Sequence, residues 1–268
     1  MCKILSVCNQ KGGVAKTVTA VNLGIGLARA GQRVAVIDND PQGSLTASLG
    51  FNDPDSMEYT LATVMGKIIN EESFDPKKGI LHHQEGIDLM PGNIELSGMD
   101  LTLVSVMSRE YVLTEYLDKI KDYYDWIIID CAPSLGMLTI NALAASDSVL
   151  IPVQVGYLPA KGLEQLIRTI TKVRKQKINH DLHIEGILLT MVDGRTNYSK
   201  EIINLIEQAY GRNVRIFEKS IPLSVRVAEC SALGISIYKN DPKGKAARGY
   251  ESLTKEILDN FLIGGEIL

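Results

Sequence analysis

The sequence is poor in several features that define large classes of protein. Its 268 residues include four cysteines, one tryptophan and 6% aromatic residues. The cysteines, at positions 2, 8, 131 and 230, form no C-x-x-C pair, so we expect neither a disulfide framework nor a local zinc site. No apolar run approaches the roughly 18 residues of a membrane span, and the start does not resemble a signal peptide. We therefore expect a cytoplasmic protein with reduced thiols.

An excess of one charge sign is also missing overall, but the charges are unevenly distributed. The chain has 28 Lys and Arg against 32 Asp and Glu, a net charge of −4. Residues 195–250 carry ten Lys and Arg against five Asp and Glu. A second basic segment, Lys161–Lys177, has apolar residues at helical spacing. Either segment alone is most simply a solvated face, whereas two of them in an acidic protein indicate a polyanionic partner.

Strand-like and helix-like segments alternate along the chain. The predicted strands are Lys3–Cys8, Arg33–Asp38, Asp125–Asp130, Ser148–Val153 and Ile184–Thr190. The predicted helices are Lys16–Ala30, Leu135–Ala145, Lys161–Lys177, Ser199–Tyr210 and Lys243–Leu262. This order predicts an α/β fold, with a doubly wound, mostly parallel sheet and helices on both faces. We expect one domain over residues 1–268, with the less regular residues 50–110 as an elaboration of it.

A glycine-rich segment joins the first predicted strand to the first predicted helix. It reads Asn9-Gln10-Lys11-Gly12-Gly13-Val14-Ala15-Lys16-Thr17. Glycines there let backbone N–H groups point inward, and the helix N-terminus favours an anion. Lys16 is placed to reach the β- and γ-phosphates of a nucleotide, and Thr17 to hold Mg²⁺. Because Gln10 and Ala15 replace the glycines of G-x-x-x-x-G-K-[ST], a simple turn with a surface lysine stays open on this segment alone.

Carboxylates end two of the predicted strands. Asp38 and Asp40 close the second strand, and their i, i+2 spacing points both side chains the same way. One could serve a metal and the other could orient a water, although each alone could be a helix cap. Asp130 closes a strand that is apolar on both faces. An acid at that place, beside a phosphate loop, is typical of an Mg²⁺ site.

These segments together resemble the deviant Walker A partition ATPases, the ParA/Soj group of the MinD/ParA superfamily of P-loop NTPases. The loop of that family reads K-G-G-x-x-K-[ST], which Lys11–Thr17 satisfies. The similarity covers nearly the whole chain. Its further motifs are Val21-Asn22-Leu23-Gly24, Asp38-x-Asp40-Pro41-Gln42-Gly43, Ile129–Gly136, Ile151–Gln154, Leu189–Thr196, and Ile221-Pro222 with Val225–Glu229. The resemblance implies a P-loop NTPase fold.

The resemblance also implies a role for each site residue. Lys11 would reach across an ATP-sandwiched homodimer, Lys16 would bind the phosphates within its own chain, and Asp40 would orient the attacking water. Thr17 would bind Mg²⁺, and Asp38 and Asp130 would hold the water shell of the metal. ATP would contact Lys11, Gly12, Gly13, Val14, Ala15, Lys16, Thr17 and Val18, with Met191, Pro222 and Ser224 beside the adenine.

The implied function is a Mg-ATP-dependent dimerising ATPase for plasmid or chromosome partitioning. It would be weak alone, stimulated by a ParB-like centromere-binding protein, cytoplasmic and associated with the nucleoid, without a membrane partner. Arg195, Arg226, Lys245 and Arg248 match the family's surface for non-specific double-stranded DNA. Lys219 and the Lys161–Lys177 helix are added to this surface on charge alone.

Four residues depart from the family pattern. Ala15 replaces a Gly, which the pattern tolerates, and Val18 replaces a Thr. A lost hydrogen bond to a charged group costs about 1.5–3 kcal/mol, so Val18 predicts weaker nucleotide binding. Leu223 replaces an Arg, which puts part of the DNA surface in doubt, and Ser224 replaces an Asn beside the base.

Three other functions are compatible with the same loop. A MinD-like membrane-positioning ATPase would need a basic amphipathic end, whereas Glu256–Glu266 is apolar and acidic. An electron-transfer ATPase would need two exposed cysteines at a dimer face, whereas Cys8 and Cys131 fall in predicted buried strands. A nucleotide-gated regulator with negligible turnover is poorly separated from the partition ATPase by sequence.

Overall fold

A seven-stranded sheet forms the centre of the protein. The computed structural model describes residues 2–156 and 159–264, with the side chains at 159–162 and 262–264 outside that description. The strands are β1 (Lys3–Val7), β2 (Val34–Asn39), β3 (Leu81–His82), β4 (Ile87–Met90), β5 (Trp126–Cys131), β6 (Ser148–Gln154) and β7 (His183–Thr190). Their order across the sheet is β3-β4-β2-β5-β1-β6-β7, and only the β3–β4 pair is antiparallel. The predicted mostly parallel sheet is confirmed.

The helices in the described part of the chain lie on both faces of this sheet. They are α1 (Lys16–Arg29), α2 (Ser44–Ser48), α3 (Leu61–Ile69), α4 (Glu95–Thr102), α5 (Val112–Ile120), α6 (Met137–Ala145), α7 (Pro159–Lys175), α8 (Asn197–Tyr210), α9 (Val225–Leu233), α10 (Ile237–Asn240) and α11 (Lys245–Gly264). One buried cluster joins the sheet to α3–α8, and a second joins it to α1, α2 and α9–α11. The fold is therefore doubly wound, as predicted.

Residues 50–110 are more regular than the sequence suggests. They contain α3, β3, β4 and α4, and β4 pairs in parallel with β2. The β4 run is only four residues long and is interrupted by Asp88, so its periodicity is weak. Its pairing with β2 therefore depends on long-range contacts that local sequence does not encode.

The C-terminal helix is packed against the body of the protein. Ile257 is buried in the second core cluster, and the ring of Phe261 lies 5.6 Å from that of Trp126. Among the described side chains of this helix, Ile257 is therefore buried by the chain, and Phe261 packs on Trp126 while staying 39% exposed. In the described residues no helix is both long and apolar enough to span a bilayer.

Strand register brings chemistry-bearing residues to one edge of the sheet. Asp38 is the register partner of Asp130 in the β2–β5 pair, and Asp130 is also the partner of Val7 in β1. Since β1 leads directly into the glycine-rich loop, the two carboxylates lie at the edge from which the loop emerges.

Candidate nucleotide and magnesium site

The glycine-rich loop has the backbone shape of an anion cradle. Gly13 has φ of 71° and Ala15 has φ of 67°, so both residues are left-handed. Left-handed residues within a turn direct successive N–H groups into one concavity, which suits an anion such as a phosphate. Ala15 is also the N-cap of α1, so the positive end of the helix dipole faces this concavity. The loop placement predicted from sequence is confirmed.

Two side chains outside the loop hold it in place. The Asn9 amide donates to the carbonyl of Pro152 at 2.7 Å, and its oxygen accepts from the backbone N–H of Lys11 at 3.0 Å. The Thr190 hydroxyl donates to the Val14 carbonyl at 3.1 Å. These bonds tie the loop to the ends of β6 and β7. Sequence reasoning assigned no role to Asn9 or Thr190, because the bonds that tie them to Pro152 and Val14 join residues more than 100 positions apart.

The two lysines of the loop differ in environment. Lys16 is buried, and its Nζ donates to the Lys11 carbonyl at 3.1 Å, so its charge lies inside the loop. Lys11 itself is half-buried, while the neighbouring Gly12 and Gly13 are exposed. Lys16 is therefore placed to act on a group inside the cradle, and Lys11 lies at its rim.

Asp38 is a buried carboxylate with strong local partners. Its Oδ2 accepts from the Thr46 hydroxyl at 2.7 Å and from the Thr46 backbone N–H at 2.8 Å. Burial nevertheless raises the pKa of Asp38 to about 6, and the charge of Asp40 adds to the increase. A glycine is required at position 92, since a Cβ there would overlap the Asp38 carbonyl oxygen. Thr46 and Gly92 are functional-site residues that the sequence motifs did not indicate.

Asp130 is fully buried, and neither of its carboxylate oxygens forms a hydrogen bond among the described residues. Burial and the Asp38 charge raise its pKa well above the usual range. The Thr17 hydroxyl and the Lys16 charge oppose that increase, which places both groups near the carboxylate. Asp130 is therefore a buried acid with unused acceptor capacity beside a lysine and a hydroxyl, and a bound metal would fill that capacity.

The donor set at this edge fits Mg²⁺ that arrives with phosphates. Thr17, Asp38 and Asp130 supply hard oxygen ligands, which Mg²⁺ prefers, and Asp130 has free acceptor capacity. The described residues hold no cluster of three or more His, Cys, Asp or Glu side chains that could bind a metal alone. Phosphate oxygens and water would therefore have to complete the coordination.

Asp40 lies just beyond the end of β2 and is buried. One of its oxygens, Oδ1, accepts from the backbone N–H of Gln42 at 3.0 Å. That bond sets the rotamer while the second oxygen is left available to accept a hydrogen bond. This arrangement is consistent with the predicted water-orienting role.

The structure joins the two segments predicted to border the adenine. The N–H of Val192 donates to Ile221 and that of Leu223 donates to Val192, at 3.1 and 3.2 Å. Met191 has φ of 53°, a left-handed conformation that is rare for such a side chain and typical of constrained functional turns. Ser224 is the N-cap of α9. Met191, Pro222 and Ser224 thus lie on one connected surface beside the end of β7.

The predicted DNA-contacting cations lie on adjoining segments, but three of them are ion-paired. Arg195 pairs with Asp193 at 2.9 Å, Lys219 with Glu218 at 3.1 Å and Arg226 with Glu229 at 2.9 Å. No ion pair involves Lys245 or Arg248 among the described residues. Within the added basic helix, Arg168 pairs with Glu164, and the side chain of Lys161 lies outside the described residues. Charge counting from sequence therefore overestimates the free positive charge of this surface.

The structure gives the burial of three further residues that the sequence analysis considered, Cys8, Val18 and Leu223, while the predicted effects of Val18 and Leu223 on binding stay predictions. Cys8 and Cys131 are buried against each other, with Sγ atoms 2.9 Å apart, so neither thiol faces a surface that could share an iron–sulfur cluster. Val18 packs in part against the second core cluster, as an apolar residue there should. Leu223 is 67% exposed and so places an apolar group on the surface.

A strand, a phosphate cradle ending in a buried lysine, and an adjacent strand ending in an acid define the class of P-loop nucleoside triphosphatases. The chain can be assigned to a family within this class by comparison with known proteins.

A family described as "AAA domain" matches residues 2–184. The sporulation initiation inhibitor protein Soj of Bacillus subtilis (strain 168) is 44% identical, covering 97% of this chain and 100% of that one. The chromosome partitioning protein ParA of Myxococcus xanthus (strain DK1622) is 40% identical, covering 96% and 88%. The chain belongs to the Soj/ParA family of chromosome-partitioning P-loop ATPases.

A solved structure with bound nucleotide and magnesium has the same fold. Cobyrinic acid a,c-diamide synthase of Mycobacterium smegmatis, with bound ATP analog and magnesium, is 34% identical to the chain. The two align with a TM-score of 0.86 over 98% of this chain and 97% of that one.

Proposed function

We propose that the protein is a Mg-ATP-dependent dimerising ATPase that binds DNA non-specifically and partitions a plasmid or chromosome with a ParB-like centromere-binding partner. The observation that carries most weight is the buried, unpaired Asp130, which faces Lys16 and Thr17 and is in register with Asp38. This charge pattern is incomplete without a metal–phosphate group, so nucleotide binding is the function that would complete it.

Each residue of the site has a defined task in the proposed reaction. Backbone N–H groups of the Lys11–Thr17 loop hold the phosphates, and Lys16 neutralises charge on them from inside the cradle. Thr17, Asp38 and Asp130 would hold Mg²⁺, which would supply positive charge against the negative charge that develops on the phosphates. Asp40 accepts a hydrogen bond from the attacking water and orients it toward the γ-phosphate.

Lys11 completes the site of a second copy in the proposed cycle. It is half-buried beside the exposed Gly12 and Gly13, at the rim of the loop rather than inside it, so we expect its ammonium group to reach a partner's phosphates. A cation supplied in this way resembles an arginine finger, a type of residue that raises kcat by about 10³–10⁵-fold. The requirement for two copies would make hydrolysis depend on dimerisation, and a partner that improves this geometry would stimulate it.

Dimerisation and turnover test the catalytic part of the proposal. With ATP and Mg²⁺, wild-type protein should form dimers in sedimentation velocity, and Lys11→Ala should remain monomeric while still binding ATP. Asp40→Ala should form dimers that persist because hydrolysis is lost. Lys119→Ala, which removes an exposed lysine on α5, is the control and should behave as wild type. Normal dimerisation of Lys11→Ala, or full turnover by Asp40→Ala, would remove the corresponding role.

Binding to random-sequence duplex DNA tests the rest. We expect binding with ATP but not with ADP, and an affinity that falls steeply as salt rises, because contacts to phosphates release counterions. Such binding would place the protein on the nucleoid within the cytoplasm. A dimer that binds no DNA in any nucleotide state would instead favour a protein partner and refute the partitioning proposal. A turnover that no partner stimulates would favour the regulator with negligible turnover.

A further inference from the structure

Two of the cations predicted to contact DNA, Arg195 and Arg226, are paired with carboxylates of the same chain. Arg195 is held in a bidentate pair, in which its Nε and one terminal nitrogen donate to the two oxygens of Asp193 at 2.9 and 3.0 Å. A terminal nitrogen of Arg226 donates to Glu229 at 2.9 Å, across one turn of α9. The guanidinium groups hold the pKa of Asp193 at about 2 and lower that of Glu229, so both carboxylates are ionised at neutral pH.

The two pairs belong to one continuous surface. The Asp193 loop and the segment leading into α9 are joined by the bridge between Val192 and Pro222. The first turns of α11 adjoin the same segment, because a Cβ at Gly249 would lie 3.2 Å from the Ser220 carbonyl oxygen. The arginines are 90% and 63% exposed at their side chains, so they reach solvent despite their pairing.

We propose that Asp193 and Glu229 act as intramolecular competitors of DNA phosphate and so limit the affinity of the DNA-binding surface. This inference rests on the proposed DNA binding. A phosphate that approaches either arginine competes with a carboxylate already bonded to it, through two nitrogens of Arg195 and one of Arg226, and that carboxylate repels the phosphate. Exposed ion pairs are weak, so phosphate can displace them, but each acid cancels one of the few positive charges there. A surface that releases DNA when nucleotide state changes benefits from such a limit.

Replacing each of the two carboxylates by the amide of the same shape removes its charge and tests the inference. Duplex DNA binding with ATP and Mg²⁺ is measured by fluorescence anisotropy from 50 to 200 mM salt for wild type, Asp193→Asn, Glu229→Gln and the double variant. Each amide should tighten binding about threefold per freed cation, and so about tenfold in a dimer, and it should steepen the salt dependence. Thermal melting checks that each variant is folded.

Glu115→Gln is the matched control. It also removes one negative charge and one exposed ion pair, that with Lys119, but it lies on α5, on the opposite face of the sheet from α9 and α11. Its DNA affinity should stay within about twofold of wild type. A gain as large as that of Glu229→Gln would mean that only net charge matters and would overturn the inference.

A double-mutant cycle assigns the effect to the ion pair. The gain from Glu229→Gln should disappear in an Arg226→Ala background, because no cation is then left to free. ATP-dependent binding by wild type with no gain in either amide variant would overturn this inference and leave the proposed function intact. Absence of binding by wild type and by the double variant alike would overturn both.

Discussion

At the scale of single residues, the site contains several features that lower the stability of the protein when no ligand is bound. Ala15 adopts a conformation that suits glycine, and Asp38 and Asp130 are carboxylates in a dry interior. Each feature lowers the stability of the fold by itself, and each is explained by the anion and metal that the loop fits. Replacing such a residue by one without the cost should therefore raise the stability of the free protein.

Ala15→Gly should stabilise the protein. A non-glycine residue in the left-handed region costs about 1 kcal/mol, and the change removes that cost at φ of 67°. Urea unfolding should give a free energy of unfolding higher by roughly that amount, with nucleotide affinity retained. Ala30→Gly is the control, since Ala30 has φ of −84° and gains nothing from glycine. Equal effects at both positions would contradict the argument.

Asp130→Asn should raise stability without nucleotide in a pH-dependent manner. The unfolded aspartate releases its proton near pH 3.8, whereas the pKa of buried Asp130 is well above that and the pKa of Asp38 is about 6. Between pH 3.8 and the pKa of folded Asp130, the folded state binds more protons than the unfolded state. The free energy of unfolding therefore falls as pH rises, by up to ~1.4 kcal/mol per pH unit. The variant should therefore melt higher than wild type at pH 7.5, and the difference should shrink toward pH 4.

The same substitution should remove the stabilisation by Mg-ATP. Differential scanning fluorimetry would measure the melting temperature of Asp130→Asn with and without Mg-ATP, and the increase seen for wild type should be absent. Asp118→Asn, at an exposed acid paired with Lys121, should change neither result. A variant less stable than wild type at neutral pH would show that Asp130 is paired rather than isolated.

At the scale of elements, strand ends and the turns that follow them build the site. The turn after β2 returns as α2, which carries Thr46 back to the Asp38 carboxylate. The Thr46 hydroxyl also accepts from the backbone N–H of Gly92, just after β4, at 3.1 Å. One side chain therefore connects three elements around a predicted magnesium ligand.

Thr46→Val should destabilise the protein and weaken Mg-ATP binding. The hydroxyl makes a hydrogen bond to a carboxylate, which contributes about 1.5–3 kcal/mol, and its loss leaves a buried charge less well satisfied. Thr46→Ser keeps the hydroxyl and should retain most of both properties. Chemical denaturation and titration with ATP at fixed Mg²⁺ give the two measurements. Equal loss in Ser and Val variants would assign the effect to packing instead.

At the scale of the whole molecule, the two faces of the sheet are covered by different helices. The C-terminal helix α11 packs with α1 on one face, and its end reaches Trp126 through Phe261. Within the described side chains, Leu253 and Ile257 on its apolar side are buried by the chain. The membrane-positioning alternative would require the same side to be available to lipid.

We therefore expect no binding to anionic vesicles in any nucleotide state. Sedimentation with vesicles rich in phosphatidylserine, with ATP, with ADP and without nucleotide, should leave the protein in the supernatant. Random-sequence duplex DNA under the same ATP conditions is the positive comparison. Recovery with vesicles only when ATP is present would restore the membrane-positioning interpretation.

Much of the fold was predictable because its strands are strongly patterned. The bounds of β1, β2, β5, β6 and β7 differ from the predictions by one or two residues, and the long helices do likewise. By contrast, β3 and β4 are short, and α9 follows a loop without a strong periodic pattern. The single domain over residues 1–268 and the roles of the site residues stay predictions.

The class of fold, the phosphate loop and the acids that close β2 and β5 could all be predicted from the sequence alone. These depend on short-range patterns, such as glycine spacing and apolar runs, which local chemistry dictates. Three features required the tertiary structure. Asp38 and Asp130 are register partners, and the Thr46 hydroxyl donates a hydrogen bond to Asp38 but not to Asp130. Arg195 and Arg226 each form an ion pair within the chain. Register depends on contacts between segments distant in the chain, and side-chain pairing depends on rotamers chosen after the backbone is in place, so neither can be read from spacing alone.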